Sequence, residues 1–265
     1  MLRAEGVKKE FAGIHALDGA SLEVGEGEAI GLVGPNGSGK STLLSAMSGF
    51  LRPDAGEITF DGRRIERMKP WRVAGLGLQR TFQLPQMPEK MTVLEVMLTG
   101  ARLRRGNSIW TSLLRPGAVA AEQAEAIDRA RALLDEMTLL RLANQPAAMI
   151  SGGQQKLLSL GAALMGSPRM LLLDEPTAGV NPTLRGVLAE RLRQVHAAGT
   201  ALVIVEHDMG FVADLCERCY VLDKGTVITS CAPSKLASDQ RVVEAYLGTK
   251  AFGKDGAPRR SGAAL

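Results

Sequence analysis

Residues Gly34-Pro35-Asn36-Gly37-Ser38-Gly39-Lys40-Ser41 constrain the fold more than any other part of the chain. They match G-x-x-x-x-G-K-[ST] and stand between an apolar run, Ala29–Val33, that reads as a buried strand, and Ser41–Ser48, which reads as a helix. The glycines let the backbone wrap closely, so that successive N–H groups point inward at phosphate oxygens. The start of the helix adds its partial positive charge. Lys40 supplies a point charge between the β- and γ-phosphates, and the Ser41 hydroxyl can ligate Mg²⁺. The segment reads as a phosphate cradle, a P-loop, with Gly34, Pro35, Asn36, Gly37, Ser38, Gly39, Lys40, Ser41 and Thr42 as nucleotide-binding residues.

Two further short apolar runs, Met170–Leu173 and Ala201–Val205, read as buried parallel strands. Helical patterns flank all three, so the expected class is α/β with a mainly parallel sheet, and catalytic groups belong at the carboxyl ends of its strands. The second run delivers two adjacent carboxylates, Asp174 and Glu175, which strand alternation points in different directions. One acid can hold the Mg²⁺ shell while the other polarises a water. Alone, the pair reads equally well as a strand end meeting solvent; beside a P-loop it reads as a site. Ser21–Val24, Glu57–Phe60 and the Asp61-Gly62 turn suggest a small antiparallel β subdomain.

Asn181 as N-cap, Pro182 at the first position and Gly199 past the end bound a helix whose Leu184, Val187, Leu188, Leu192 and Val195 form one apolar face. A second amphipathic helix is expected from near Val119 to Met137, with Ala124, Ile127, Ala130 and Leu134 on one side. The middle of the chain, mostly helical from Thr92 to Pro146, reads as a helical subdomain, about 92–168, inserted in a domain covering residues 1–250. Within it Arg102, Arg104, Arg105 and Arg115 surround Ile109, Trp110, Leu113 and Leu114, read as a solvated loop with a packed tryptophan or as a partner-facing patch. Ala251–Leu265 lacks periodicity and reads as a disordered tail.

Apolar residues at 45% and charged residues at 23% are ordinary for a globular chain. Only 4% of residues are aromatic and the formal net charge is +4 with both signs interspersed, which argues against a nucleic-acid partner. No run approaches the roughly 18–20 apolar residues that cross a bilayer, and the amino terminus does not read as a secretory signal. Cys216 and Cys219 form a C-x-x-C pair near Cys231 without a second pair to complete a zinc site, so they read as reduced, packed thiols.

Ile150-Ser151-Gly152-Gly153-Gln154 closely resembles the LSGGQ signature of ABC ATPases. Its physics is readable: Ser151 can cap a helix in a box with Gln154, and Gly152 and Gly153 leave backbone N–H groups bare enough to meet an anion. The resemblance implies that this helix end faces the γ-phosphate held by another protomer's P-loop. It also implies ATP and Mg²⁺ as the bound species, and a homodimer, or a heterodimer with a second ABC ATPase. Phe11 matches the adenine-stacking position, with simple packing as the other reading. Gln83, in Arg80-Thr81-Phe82-Gln83, looks like the glutamine that senses Mg²⁺ and the membrane partner; Ser41, Gln83 and Asp174 are thus the metal-associated residues. His207 looks like the switch histidine contacting the γ-phosphate, and Glu175, His207 and Lys40 form the catalytic set. Asn181 stands where many relatives carry aspartate.

The finer resemblance is to ATP-binding subunits of branched-chain amino acid importers. It rests on Arg80-Thr81-Phe82-Gln83, Ala178-Gly179-Val180-Asn181-Pro182, Val205-Glu206-His207-Asp208-Met209 and Val243-Glu244-Ala245-Tyr246-Leu247-Gly248. It implies transmembrane permease subunits, a periplasmic substrate-binding protein acting indirectly, and a peripheral location on the cytoplasmic face of the inner membrane. A lipopolysaccharide-type exporter subunit and a soluble non-transport ABC ATPase are the alternatives.

Overall fold

Ala12 and Gly13 both adopt positive φ, 47° and 84°, in a two-residue turn that joins the strands β1 (Leu2–Phe11) and β2 (Ile14–Val24). The computed structural model describes residues 1–81, 86–102 and 116–251, which divide into two compact units, Met1–Pro70 with Val203–Leu265 and Trp71–Leu202. In the first unit β3 (Ala29–Val33) leads through the P-loop into helix α1 (Lys40–Met47), followed by β4 (Ala55–Phe60) and β5 (Arg63–Arg64). An antiparallel sheet of order β2-β1-β4-β5 results. Leu2, Ala4, Val7, Leu17, Ala20, Leu22, Ile58 and Phe60 are buried from it, while their neighbours in sequence mostly face water, the alternation expected of a half-covered sheet.

The expected segments Ser21–Val24 and Glu57–Phe60 lie within β2 and β4, but β1 was not legible. Register slips between Ala4 and Val7 and between Lys9 and Glu10 break its alternation. A strand rich in Lys and Glu with displaced register looks like a loop when read alone.

The second unit opens with α2 (Pro70–Leu76) and β6 (Leu78–Arg80), then α3 (Val93–Thr99), α4 (Pro116–Glu136), α5 (Gly152–Met165), β7 (Met170–Asp174) and α6 (Pro182–Ala197). Here β6 and β7 pair in parallel, Arg80 opposite Leu172. Every residue of β7 is buried, which is why its sequence is continuous Met-Leu-Leu-Leu instead of alternating. The cap of α6 is as expected: the Asn181 side chain accepts from the Leu184 N–H at 3.0 Å, and Pro182 sits in the first turn. In α4 the expected face needs correction. Ala130, Leu133 and Leu134 are buried and Ile127 half-buried, but Ala124 is exposed, because the first half of the helix stands clear of the core.

Strand β8 (Ala201–Val205) spans the boundary of the two units, after which α7 (Met209–Leu215), β9 (Arg218–Asp223), β10 (Thr226–Cys231) and α8 (Gln240–Ala251) complete the first. There β3 pairs in parallel with β9, and β9 antiparallel with β10. Cys216 and Cys219 are buried beneath β3, where a Cβ at Gly31 would stand 2.9 Å from the Cys219 Sγ. Burial pushes the Cys219 thiol up to about 12 and the Cys216 thiol higher still, so both stay protonated and unreactive. Among the described residues no helix is long and apolar enough to cross a membrane. The expected tail, apart from Ala251, and the patch residues Arg104, Arg105, Ile109, Trp110, Leu113, Leu114 and Arg115 lie outside the described residues.

Candidate nucleotide site

The P-loop in the first unit is shaped by contacts that only glycine permits. Gly34 has φ 148° and a Cβ there would lie 2.0 Å from the Leu222 carbonyl oxygen; at Gly39, φ 105°, it would lie 2.4 Å from that of Ala16. The loop is therefore pressed against β9 and β2. Lys40, 6% exposed, donates from Nζ to the carbonyls of Gly34 and Pro35, each at 2.8 Å. These oxygens fix the ammonium across the loop. Asn36, Gly37 and Ser41 are exposed, whereas Ser38 is buried.

A residue the sequence reading missed supports this loop from below. Lys224 and Gly225, at φ 44° and 79°, make the two-residue turn between β9 and β10, and the Gly225 N–H donates to the Ser38 carbonyl at 2.9 Å. The only sequence signal was the Asp223-Lys224-Gly225 turn pattern, which says nothing about what the turn touches.

Phe11 ends β1 at the Ala12-Gly13 turn, 47% exposed, and shares with Ser41, Thr42 and Ser45 a groove of about 290 Å³. The structure thus brings the expected stacking residue to the P-loop helix. His207, in the same unit, is exposed just past β8; its N–H donates to the carboxylate of the buried Glu206 at 3.1 Å. Asp208 then caps α7 by accepting from the Phe211 N–H at 3.0 Å.

In the second unit the paired acids are held by cations from other elements. Asp174, at the end of β7, accepts from an Arg80 Nη at 3.0 Å, with side-chain exposures of 5% and 8%. Two buried charges out of water require such a partner. Glu175 adopts φ 47°, the left-handed region where a non-glycine residue is strained by about 1–3 kcal/mol. Its carbonyl accepts from the Lys156 Nζ at 2.7 Å and from the Ala178 N–H at 3.2 Å, so the turn that aims its side chain is pinned from both sides. Neither Arg80 nor Lys156 was singled out from sequence for these duties, since nothing local links position 80 to 174 or 156 to 175.

Lys156 belongs to the helix that Ser151 begins. The capping box forms: the Gln154 N–H donates to Ser151 Oγ at 3.4 Å and the Ser151 N–H to Gln154 Oε1 at 2.9 Å. The two glycines differ. Gly152 is exposed with nothing within 4 Å of a Cβ position, whereas Gly153 is buried, where a Cβ would lie 3.1 Å from Leu184 Cδ1, and serves packing against α6. Asn181 acts as the helix cap described above. Gln83 lies outside the described residues. A larger concavity of about 630 Å³, lined by residues that include Arg102, Glu122 and Arg129, contains none of the expected nucleotide residues.

Residues 17–178 match the family model described as ABC transporter. The high-affinity branched-chain amino acid transport ATP-binding protein LivG of Salmonella typhimurium is 35% identical over 94% of this chain and 98% of its own length. The chain belongs to the ABC transporter family. Among solved structures, a nucleotide-free ATP-binding cassette from an ABC transporter superimposes with a TM-score of 0.79 at 36% identity, covering 96% of this chain and 99% of that one. A dimeric post-hydrolysis ATP-binding cassette bound to ADP and Pi gives 0.75 at 26% identity, covering 88% and 99%. This ABC subunit is an ATP-binding cassette of the P-loop NTPase fold, and its class implies membrane permease partners and pairing of cassettes.

Proposed function

We propose that this ABC subunit binds and hydrolyses ATP to power uptake of branched-chain or related amino acids through separate membrane permeases. The observation that carries the reading is near-full-length similarity to LivG together with an intact P-loop, acid pair and Ser151–Gln154 box. It works from the cytoplasmic face of the inner membrane, peripherally, with a periplasmic binding protein presenting the substrate.

The roles follow from chemistry. The backbone N–H groups between Gly34 and Thr42, Pro35 excepted, and the Lys40 ammonium hold the β- and γ-phosphates. Phe11 stacks on the base. Glu175 takes the proton of the attacking water, aimed by its strained, pinned turn. His207 contacts the γ-phosphate. Ser151, Gly152, Gly153 and Gln154 of one protomer complete the site on the other, so that the nucleotide's charge joins two surfaces and its hydrolysis releases them. The Ser41 hydroxyl and the Asp174 carboxylate are hard oxygen donors suited to Mg²⁺, with Gln83 as the third associated residue. When bound, the ion neutralises charge on the phosphoryl oxygens.

The test is reconstitution with candidate permeases and binding protein in liposomes. ATP-dependent leucine uptake, lost in Lys40→Ala, is expected. Stimulation of ATP hydrolysis by lipopolysaccharide with no amino acid uptake would overturn the substrate class.

A further inference from the structure

The carbonyl of Glu175 receives a cation from the very helix that opens with the Ser151–Gln154 box. Lys156 follows Gly152 by one turn of α5 and stands on the same face of it. Its stem lines an apolar gap with Leu160, Leu173 and Leu188, and its Nζ reaches the Glu175 carbonyl at 2.7 Å. The stem packs while the ammonium makes a charge-assisted bond, so the contact has a fixed direction. The same helix touches the far end of the loop that Glu175 begins. A Cβ at Gly153 would lie 3.6 Å from Val180 Cγ1 and 3.7 Å from Val180 Cα. The segment from Glu175 to Val180 is thus held at both ends by the opening turns of α5. Gln155 ties those turns to the chain before them, its Nε2 donating to the Ile150 carbonyl at 3.2 Å.

A non-glycine residue at φ 47° keeps that conformation only while its surroundings over-determine it. At Glu175 those surroundings include the Lys156 ammonium, and Lys156 moves with the helix end that Ser151 caps. We propose that Lys156 is a positioning residue for the Glu175 base, and that it makes the aim of this carboxylate depend on the seating of Ser151–Gln154 against the other protomer's nucleotide. This rests on the nucleotide reading above. Under it, α5 of one protomer meets ATP held by its partner, while Glu175 of that protomer acts on ATP held by its own chain. Lys156 then links two occupied sites within one polypeptide, and the base is set for reaction only once the opposite site is filled.

Mixed dimers, purified through two different affinity tags, test this. The partner chain carries Glu175→Gln, so that one base is active, and every rate is compared with this parent dimer. In the chain with the active base, Lys156→Met keeps the packed stem and removes the ammonium. It should slow single-turnover hydrolysis at saturating ATP about tenfold or more, with ATP affinity and ATP-driven doubling of mass unchanged. Lys156→Arg, which keeps a donor cation, should recover most of the rate. Ser151→Ala beside the active base should slow that base roughly fivefold while Lys156 is present, but add less than about twofold to Lys156→Met. An undiminished rate in Lys156→Met, no recovery in Lys156→Arg, or an equal loss from Ser151→Ala in both backgrounds would overturn the proposal. If instead a dimer with Glu175→Gln in both chains hydrolyses ATP at the wild-type rate, the base assignment beneath it fails, a distinct result.

Discussion

Between Gly34 and Ser41 the phosphate-facing groups are contiguous in sequence: Lys40 bonds carbonyls six and five residues back, glycines allow the close approach to neighbouring strands, and one distant amide, that of Gly225, braces the loop at Ser38. At Asp174 and Glu175 the holding groups come from 94 and 19 residues away, as Arg80 on β6 and Lys156 on α5. The cradle depends on backbone shape and has no tolerance for a Cβ at its tight points. The acid pair depends on the second unit being correctly folded, because its geometry is the sum of distant contacts. Loss of the Lys40 ammonium in the first region should abolish phosphate binding, whereas a Cβ at Gly34 or Gly39 should disturb the fold as well. A defect in the second should spare binding and damage turnover or folding.

The largest effect expected on that contrast is at Glu175. Glu175→Gln should keep ATP affinity while turnover falls by about 10²-fold or more, the usual size of a general-base deletion. Single-turnover hydrolysis beside equilibrium binding checks it; near-normal turnover would remove Glu175 as the base. Next comes Arg80→Leu, which strands a buried carboxylate and should cost about 3 kcal/mol of stability. Chemical denaturation should show this loss, with partial recovery when Asp174→Asn is added. No recovery would mean that Arg80 acts by packing alone.

Asn181→Ala should cost about 1 kcal/mol through loss of the helix cap. A loss of turnover larger than that destabilisation explains would give Asn181 a role beyond capping. The smallest effect belongs to the first unit. The Arg241 guanidinium, hydrogen-bonded to Asp239, holds that carboxyl at about 2 against an ordinary 3.8. A depressed carboxyl contributes stability above its unfolded pKa and loses it as pH falls through the folded one. The contribution should fade between about pH 4 and pH 2, and Arg241→Ala should flatten acid unfolding in that window.

How much of this was legible follows the same division. Strands β3 and β8 could be bounded from sequence because a fully buried strand is a continuous apolar run. The Asn181-Pro182 start and the Ser151–Gln154 box were legible because a cap is a local exchange of bonds within four residues. Strand β1 and the β9–β10 hairpin were not, since register slips and pairing partners decide them. In the site, the cradle residues were readable as one string, whereas Arg80, Lys156 and Gly225 act through contacts that no spacing rule encodes. Gly153 carries a duty that the motif does not encode: a Cβ there would lie 3.1 Å from Leu184 Cδ1, so the glycine also serves packing.

Two protomers must close over shared nucleotide for the acid pair and the Ser151–Gln154 box to act on one phosphate. Light scattering coupled to size exclusion, on Glu175→Gln with and without ATP, measures this directly. The molecular mass should double with ATP and return to that of one chain when Ser151→Arg is added. A preparation that binds ATP yet keeps the mass of a single chain, while the wild-type monomer turns over at a rate per chain independent of concentration, would contradict it.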